Sequence, residues 1–510
     1  MGGQQEQASD ADATRPLKVL TDEPKFSSAA LSITFLLCIA DIKKTIITSF
    51  RPEFTHQCVG EQEVFAGYRP PKSVVEAARL EIRQCGGCGE QQQENDDTEA
   101  ILHKSHQWHH RHQNAIAELA VDISLAPSCE SCHIQIHIQP QDEPSAKRIK
   151  LDTEDSSMKT LSEGEILDSL RIALPPIQEG PTAANDVKEK FLSQPVGQML
   201  EEYTVQRNNQ DSQSMDFAIT LADGRDPKVA QYHHKIQPLA LFYIENADNV
   251  DVGATDNGYW KVLYVFQKHP TTSKDAFSLV GYFTLFHFIA LFHKPQPGII
   301  VRICQALILP PFQWQGHGTR MFQAVYKLAH NQYPEVSSTS NQIDNGALSQ
   351  HVIVQVNVED PAPAFVALRN KTDFAFVKQY SNKFGWPNWR QENTSNLNVN
   401  FFVSLTEAQA MDLSAKVKIT VPQLHIVNDL IKLQALQDSL YEEREQDKEE
   451  LDRYFRLMVK KRLNKEHREE LGGLGSKEQQ KTRLAELFEE RLMGYNRILK
   501  SKRNTTVLAK

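Results

Sequence analysis

Four apolar runs between residues 258 and 360 constrain this chain more than any other feature. They read "GYWKVLYVFQK" (Gly258–Lys268), "AFSLVGYFTLFHFIALF" (Ala276–Phe292), "GIIVRICQALILPPF" (Gly298–Phe312) and "QHVIVQVNVED" (Gln350–Asp360). Each is rich in β-branched and aromatic residues, which suit a pleated, half-buried surface, so each is predicted to be a strand. Between the third and the fourth lies a helical pattern, Gly318–His330, with Met321, Phe322, Val325 and Leu328 on one face.

The remaining text divides around that block. The chain has 510 residues, enough for several domains. Residues 1–30 read as a polar, disordered tail without a secretory signal. Residues 31–175 read as an α/β domain. It opens on "LSITFLLCIA" (Leu31–Ala40), too short an apolar run to cross a bilayer, and includes a hairpin of "LAVDISL" (Leu119–Leu125) and "HIQIHIQ" (His133–Gln139). Two polar segments interrupt it: a Cys/His-rich insertion at 71–116 and a basic linker at 140–160. Within the linker, "PSAKRIKLD" (Pro144–Asp152) is similar to a short nuclear import signal, or is a solvated loop. The sheet block belongs to a domain at 176–390, and residues 391–510 read as helical. Val427, Leu430 and Ile431 share one face there, as do Leu451, Tyr454, Phe455 and Met458; Leu484, Leu487, Phe488, Leu492 and Tyr495 form the last stripe, opened by Ser476 with Gln479 as a capping box. The net charge of −9 argues against general nucleic-acid binding and suits a basic substrate, and seven cysteines suit a reducing compartment.

Chemistry concentrates where the third strand ends. "ILPPFQWQGHG" (Ile308–Gly318) turns from strand into helix through Gly316 and Gly318. A helix N-terminus offers unpaired N–H groups and partial positive charge, and glycines let a ligand approach the backbone, so the turn can cradle phosphates. Gly-Lys-Ser/Thr is missing, which excludes a P-loop, and a third glycine is missing, which leaves the dinucleotide fingerprint incomplete. On these residues alone a tight turn without ligand fits equally well.

Gln313-x-x-Gly316-x-Gly318 after a strand resembles the pyrophosphate loop of the GNAT acetyltransferases. The longer text resembles the type B histone acetyltransferase catalytic subunits in "RICQALILPPFQWQGHG", "VNVEDPAPAFVALRN", "RPEFTHQCVGEQEVFAGY" (51–68), "LALFYIENADNVD" (239–251) and "VKITVPQLHIVNDLIKL" (417–433), in that family's order. The resemblance implies an α+β chain: a central GNAT fold, a mixed sheet flanked by helices, with an N-terminal α/β domain and a C-terminal helical domain. It implies acetyl-CoA as cosubstrate and no metal. The backbone of Ala306, Leu307 and Ile308 would grip the pantetheine arm by strand addition. The pyrophosphate would lie against Gln313, Trp314, Gln315, Gly316, His317 and Gly318, with no particular role for the Trp314 side chain and a turn role for His317. Phe365 would pack near the coenzyme.

The reaction implied is transfer of acetyl to tail lysines of newly made, non-nucleosomal histones, chiefly histone H-four. The attacking amine must be neutral, so a base must take its proton. Period-two alternation puts Val352, Val354, Val356 and Val358 on one face of the fourth strand and Glu359 on the other. From the residues alone, "ED" is better read as opening a loop or capping the next helix at Pro361; by resemblance Glu359 is instead the general base, supported by Glu245 and Asp360. Glu61, Gln62 and Glu63, with Phe286, His287 and Phe288, match segments that contact the tail. Free core histones and a WD-repeat histone chaperone are the implied partners, with residence in nucleus and cytoplasm and no role at membranes.

Cys85-x-x-Cys88 and Cys129-x-x-Cys132 have zinc-knuckle spacing, with His103, His106, His109, His110 and His112 between them. The resemblance accounts for the hairpin at Cys129 and Cys132 without metal, and the expectation is free thiols beside a solvated histidine tract. Other functions remain open at this level: a non-catalytic histone-binding scaffold, a zinc-dependent nucleic-acid module in the insertion, or a small-amine acetyltransferase.

Overall fold

The computed structural model describes residues 31–41, 44–50, 56–59, 62–64, 118–139, 171, 174–206, 214–244, 247–270, 275–333, 352–384, 399–439 and 445–500. The tail, the Cys/His-rich insertion, the basic linker, Glu61 and Glu245 lie outside them. The chain forms two compact units: one of Met1–Ile33, Thr55–Val121 and Ile136–Ile172, the other of Thr34–Phe54, Asp122–Gln135 and Ala173–Lys510.

Two N-terminal strands, β1 (Leu31–Asp41) and β2 (Lys44–Phe50), pair antiparallel from Phe35↔Phe50 to Asp41↔Lys44. In the smaller unit, β3 (His56–Val59) and β4 (Gln62–Val64) form a short antiparallel pair. β5 (Glu118–Leu125) and β6 (Cys132–Gln139) complete a four-stranded sheet in the order β2-β1-β5-β6. The turn joining them is anchored from below: Tyr232 donates to the Ser128 carbonyl at 3.1 Å, and Lys235 pairs with Glu130 at 2.8 Å.

The larger unit is organised by six strands in the order β12-β11-β10-β9-β8-β7. After the short helix α1 (Ala183–Lys188) come β7 (Gln198–Gln206) and β8 (Ser214–Asp223). Helix α2 (Pro227–Ile236) follows; Pro227 starts it and Asp226 caps it, accepting from the Lys228 N–H at 2.9 Å. The four strands read from the sequence are β9 (Gly258–His269), β10 (Ala276–Ala290), β11 (Gly298–Ile308) and β12 (Ile353–Val358). Neighbours are antiparallel except β11 and β12. A parallel pair needs a crossover, and α3 (His317–Ala329) lies within it.

Packing explains the composition of the central strands. β10 is buried without interruption from Phe277 to Leu285, so it reads as a continuous apolar run rather than an alternating one. Tyr264, Phe266, Tyr282, Phe283 and Phe322 are each at most 1% exposed, and burying each such side chain contributes about 1.5–3 kcal/mol. The face of α3 is broader than periodicity suggests: Ala324, Tyr326 and Ala329 are buried with Met321, Phe322 and Val325, while Leu328 is only half-buried.

Among the described residues, six α-helices follow the sheet: α4 (Pro363–Phe384), α5 (Glu407–Val417), α6 (Val421–Ser439), α7 (Glu445–Glu466), α8 (Arg468–Gly472) and α9 (Lys477–Lys500). Thr406 and Gln409 form a full capping box on α5, and the Ser476 hydroxyl accepts from the Gln479 N–H at 3.2 Å before α9. Leu451, Phe455 and Met458 of α7 are buried as expected, whereas Tyr454 is 40% exposed. Helix α6 has Asp429 in its buried interior, paired with Arg462 of α7 and accepting from the Tyr495 hydroxyl of α9 at 2.9 Å. Burial pushes the Asp429 carboxyl up, against the pull of Arg462. One carboxylate thus ties three helices. Removing its cation strands a buried charge, so Arg462→Met should cost about 3–5 kcal/mol in denaturant unfolding. Asp429→Asn combined with Arg462→Met should recover much of that loss; a double variant as unstable as the single one would refute the charge argument.

Candidate functional site

The sheet opens at its β11–β12 edge. The two strands pair from Ile299↔Ile353 to Ile303↔Val358 and then part. The last link is the Glu359 N–H donating to the Ile303 carbonyl at 2.9 Å. β12 is held on its other edge: the Val356 N–H donates to the Lys418 carbonyl at 2.9 Å, at the end of α5. From Cys304 onward, therefore, β11 has no β12 partner. Ala306, Leu307 and Ile308 lie in this stretch, Leu307 buried and its two neighbours half-buried. Such an edge can receive an extended ligand arm by backbone hydrogen bonds. The Ile308 carbonyl already accepts from the Gln313 side chain at 2.9 Å.

Beyond Ile308 the chain makes a single 3-10 turn, Pro310–Phe312, pinned by buried Phe312. Gln313 and Gln315 brace the loop internally, Gln315 donating to the Pro311 carbonyl at 2.9 Å. Trp314 has a left-handed backbone (φ +64°) and is 95% exposed. Gly316, the N-cap of α3, has φ +90°, open space where a Cβ would sit, and no side-chain cap on the helix. The first-turn amides are consequently available to an anion, which is the fit a pyrophosphate requires.

Two turn residues differ from expectation. The Gly318 hydrogen faces Leu368 of α4, whose Cδ1 would lie 2.8 Å from an added Cβ, so this glycine serves helix packing as much as ligand approach. His317 is 1% exposed. Its ring lies 4.5 Å from that of Phe217, and Nδ1 shares a 2.6 Å hydrogen bond with the Tyr203 hydroxyl. Any contact it makes with a ligand at the turn is therefore through its backbone N–H, because the imidazole is committed to the core. Phe365 stands between β10 and α3, its ring 5.8 Å from both Phe283 and Phe322.

Glu359 sits half-exposed where the strands part. Arg302 lies across from it at 3.5 Å, and Arg302 also stacks over Phe288 at 4.4 Å. Burial, reinforced by a hydrogen bond and charge from Glu359, pushes the half-buried Cys304 thiol up, so it remains a neutral donor. Phe288 meets Phe286 edge-on at 4.4 Å, and Phe286 meets Trp260 at 4.7 Å. Acid, arginine, thiol and three aromatic rings form one linked cluster. Asp360 follows with φ +28° and is exposed.

The triplet Phe286-His287-Phe288 does not act as one group. Alternation turns His287 to the opposite face of β10, where it is buried and stacked on Tyr259 at 4.8 Å. The His287 ring is thus turned away from Phe286 and Phe288. Glu245 lies outside the described residues, as does Glu61. Nearby, Gln305 donates to the Asp248 carbonyl at 2.7 Å, holding that loop against β11. Gln62 and Glu63 lie on β4 of the smaller unit. Arg302, Cys304 and Trp260 were not anticipated. Strand alternation put Arg302 and Cys304 on one face, but only the register, Phe286↔Arg302 and Phe286↔Trp260, reveals the cluster.

Cys129 and Cys132 are core thiols. Both are fully buried, and the Cys132 thiol donates to the Pro175 carbonyl at 3.2 Å. Burial pushes the Cys132 thiol up to about 12, far from the thiolate a metal needs. Cys85, Cys88 and the histidine tract lie outside the described residues.

Three histidines on this framework are kept neutral by burial. His233 and His287 are each lowered to about 3, and His317 to about 4, from an ordinary 6.5. A lowered folded-state value means the unfolded chain binds more protons, so stability is complete above pH 6.5 and is lost as pH falls toward 4. Each site contributes on the order of 2 kcal/mol to the loss by about pH 5. Urea midpoints should fall over that window, and less steeply for His287→Phe, which keeps the stack on Tyr259. An identical pH slope in the variant would contradict the buried neutral state.

Residues 121–245 match the family model described as Histone acetyl transferase HAT1 N-terminus. A "Histone acetyltransferase type B catalytic subunit" of Mus musculus is 30% identical over 184 residues, covering 36% of this chain and 37% of the relative. Over these stretches the chain is similar to type B histone acetyltransferase catalytic subunits. A Dictyostelium discoideum relative carrying the same description is 29% identical over 212 residues, 41% of each chain. In Kluyveromyces lactis the figures are 26% over 209 residues, 39% of this chain and 45% of the relative. The chain thus spans about two fifths of the length of the curated relatives it matches. The mixed six-stranded sheet flanked by helices, with helices at the C-terminal end, is consistent with the GNAT-like fold that the sequence resemblance implies.

Proposed function

We propose that this chain is a histone lysine acetyltransferase, taking acetyl from acetyl-CoA and giving it to tail lysines of newly made, non-nucleosomal histones, chiefly histone H-four. The observation that carries this reading is the coincidence of three features: a β11 edge released by β12, an uncapped glycine turn at its end, and the Glu359 carboxylate where the strands part. The similarity to relatives described as histone acetyltransferase type B catalytic subunits, over about two fifths of each chain, supports the same reading.

The thioester supplies an activated acyl group with a good leaving thiol. The chain does the rest by position and charge. Backbone groups of Ala306 to Ile308 hold the arm extended, and first-turn amides of α3 take the phosphates. A lysine amine has an ordinary pKa near 10.4, so only about one in 2,500 is neutral at pH 7. Glu359 takes the amine proton, directly or through one water, as the nitrogen attacks the carbonyl. Arg302 orients the carboxylate, and the rings of Trp260, Phe286 and Phe288 form an apolar wall for the lysine stem. Glu245 and Asp360 are the supporting acids in this reading. A WD-repeat histone chaperone as partner, and residence in nucleus and cytoplasm, belong to the same proposal and rest on the sequence resemblance.

Purified chain incubated with acetyl-CoA and free core histones, followed by mass-spectrometric mapping, tests it. Acetyl groups on tail lysines, foremost on histone H-four, are expected. Histones unmodified at high enzyme concentration, with coenzyme bound, would leave a binding scaffold instead.

A further inference from the structure

A turn that binds an anion through its amides faces a conflict. The amides must be ordered, yet a side-chain cap that ordered them would also occupy them. At α3 no side chain caps the helix from outside. The first turn is instead held from inside. Phe217 of β8 and Phe312 of the loop pack against the His317 ring at 4.5 and 6.3 Å. Tyr203 reaches across from β7, at the far edge of the sheet from β12, to share its 2.6 Å hydrogen bond with His317 Nδ1. Arg320, one turn into the helix, stacks on the other partner of this bond, 4.3 Å from the Tyr203 ring centroid. His317 is the first residue of α3, and its peptide lies between Gly316 and Gly318.

We infer that Tyr203 is a positioning residue for coenzyme binding: through His317 it fixes the α3 first-turn amides while leaving them free for the pyrophosphate. The inference rests on the cradle reading above and adds to it a residue from the opposite edge strand, with no ligand contact of its own. Burial keeps both partners uncharged, the phenol pushed up and the imidazole down to about 4 by burial and by Arg320, so the bond persists across the working pH range. His317 Nε2 has no partner among the described residues, which makes the Nδ1 bond the imidazole's polar anchor.

A structural role alone would lower activity with every acyl donor alike. A cradle role lowers it only for donors that carry the pyrophosphate. The test compares kcat/KM for acetyl-CoA with kcat/KM for acetyl-pantetheine, which lacks the nucleotide. Tyr203→Phe removes one hydroxyl and should reduce the acetyl-CoA to acetyl-pantetheine ratio by about threefold to tenfold, the worth of one hydrogen bond. His317→Leu, which deletes the bond's other partner, should shift the ratio in the same direction, so the inference stays testable if either variant folds poorly. A ratio unchanged in both, with wild-type chain binding acetyl-CoA normally in calorimetry, overturns the assignment of Tyr203. Wild-type chain that shows no preference for acetyl-CoA over acetyl-pantetheine overturns the cradle itself, and with it this inference.

Discussion

Glu359→Gln lowers turnover by about 10²–10⁴-fold, the usual contribution of a positioned general base, while acetyl-CoA affinity is little changed. The substitution is nearly isosteric and removes the negative charge and with it the ability to accept a proton. The 2.9 Å bond from the Glu359 N–H to the Ile303 carbonyl is a backbone bond and survives, so the parting of β11 and β12 is kept. The Gln amide oxygen can still accept from Cys304. What is lost besides the base is the pairing with Arg302, at 3.5 Å and with both side chains more than a third exposed; such pairs contribute between 0 and about 1 kcal/mol. Binding and chemistry should therefore separate: calorimetry with acetyl-CoA near wild type, steady-state kcat strongly reduced. Turnover equal to wild type would remove Glu359 from the proton path and move attention to the acids on either side of the loop.

How much of this was legible beforehand depends on what each feature is made of. β9 to β12 stood out as runs of apolar, β-branched and aromatic residues, and α3 by its helical period. The turn was legible because glycines at a strand-to-helix junction have few other uses. β7 was hidden: "QMLEEYTVQ" is an edge strand whose exposed charges obscure the alternation. α6 was legible as a helix from Val427, Leu430 and Ile431, but not its buried polar side, since it is buried on almost every side from Val427 to Leu436. The site was half legible. Glu359, Gly316 and the Ala306–Ile308 edge lie within a few residues of recognisable text. Arg302, Trp260 and Tyr203 depend on register across strands, and the Tyr203–His317 bond joins residues 114 apart in sequence. His287 shows the cost of reading a triplet as one group when a strand sends alternate side chains to opposite faces.

Gly316→Asp should abolish measurable acetyl-CoA binding without unfolding the chain. At this position φ is +90°, and no atom lies within 4 Å of the place a Cβ would take. Crowding therefore does not oppose a side chain; backbone strain does, and it costs about 1–2 kcal/mol for an ordinary L-residue, less for Asp or Asn. The decisive term is charge. A carboxylate at the N-cap faces the same amides that would hold the phosphates, so it either takes those donors itself or stands beside the anion. Two like charges about 4 Å apart near a protein surface repel by about 4 kcal/mol, roughly three decades in affinity. Gly316→Ala separates the causes, because it carries the strain without the charge and should lose far less affinity. Calorimetric titration of both variants beside thermal melts reads the two terms independently. If the Asp variant bound acetyl-CoA as the wild type does, the phosphates would not lie at this turn, and the free edge of β11 would need a different ligand.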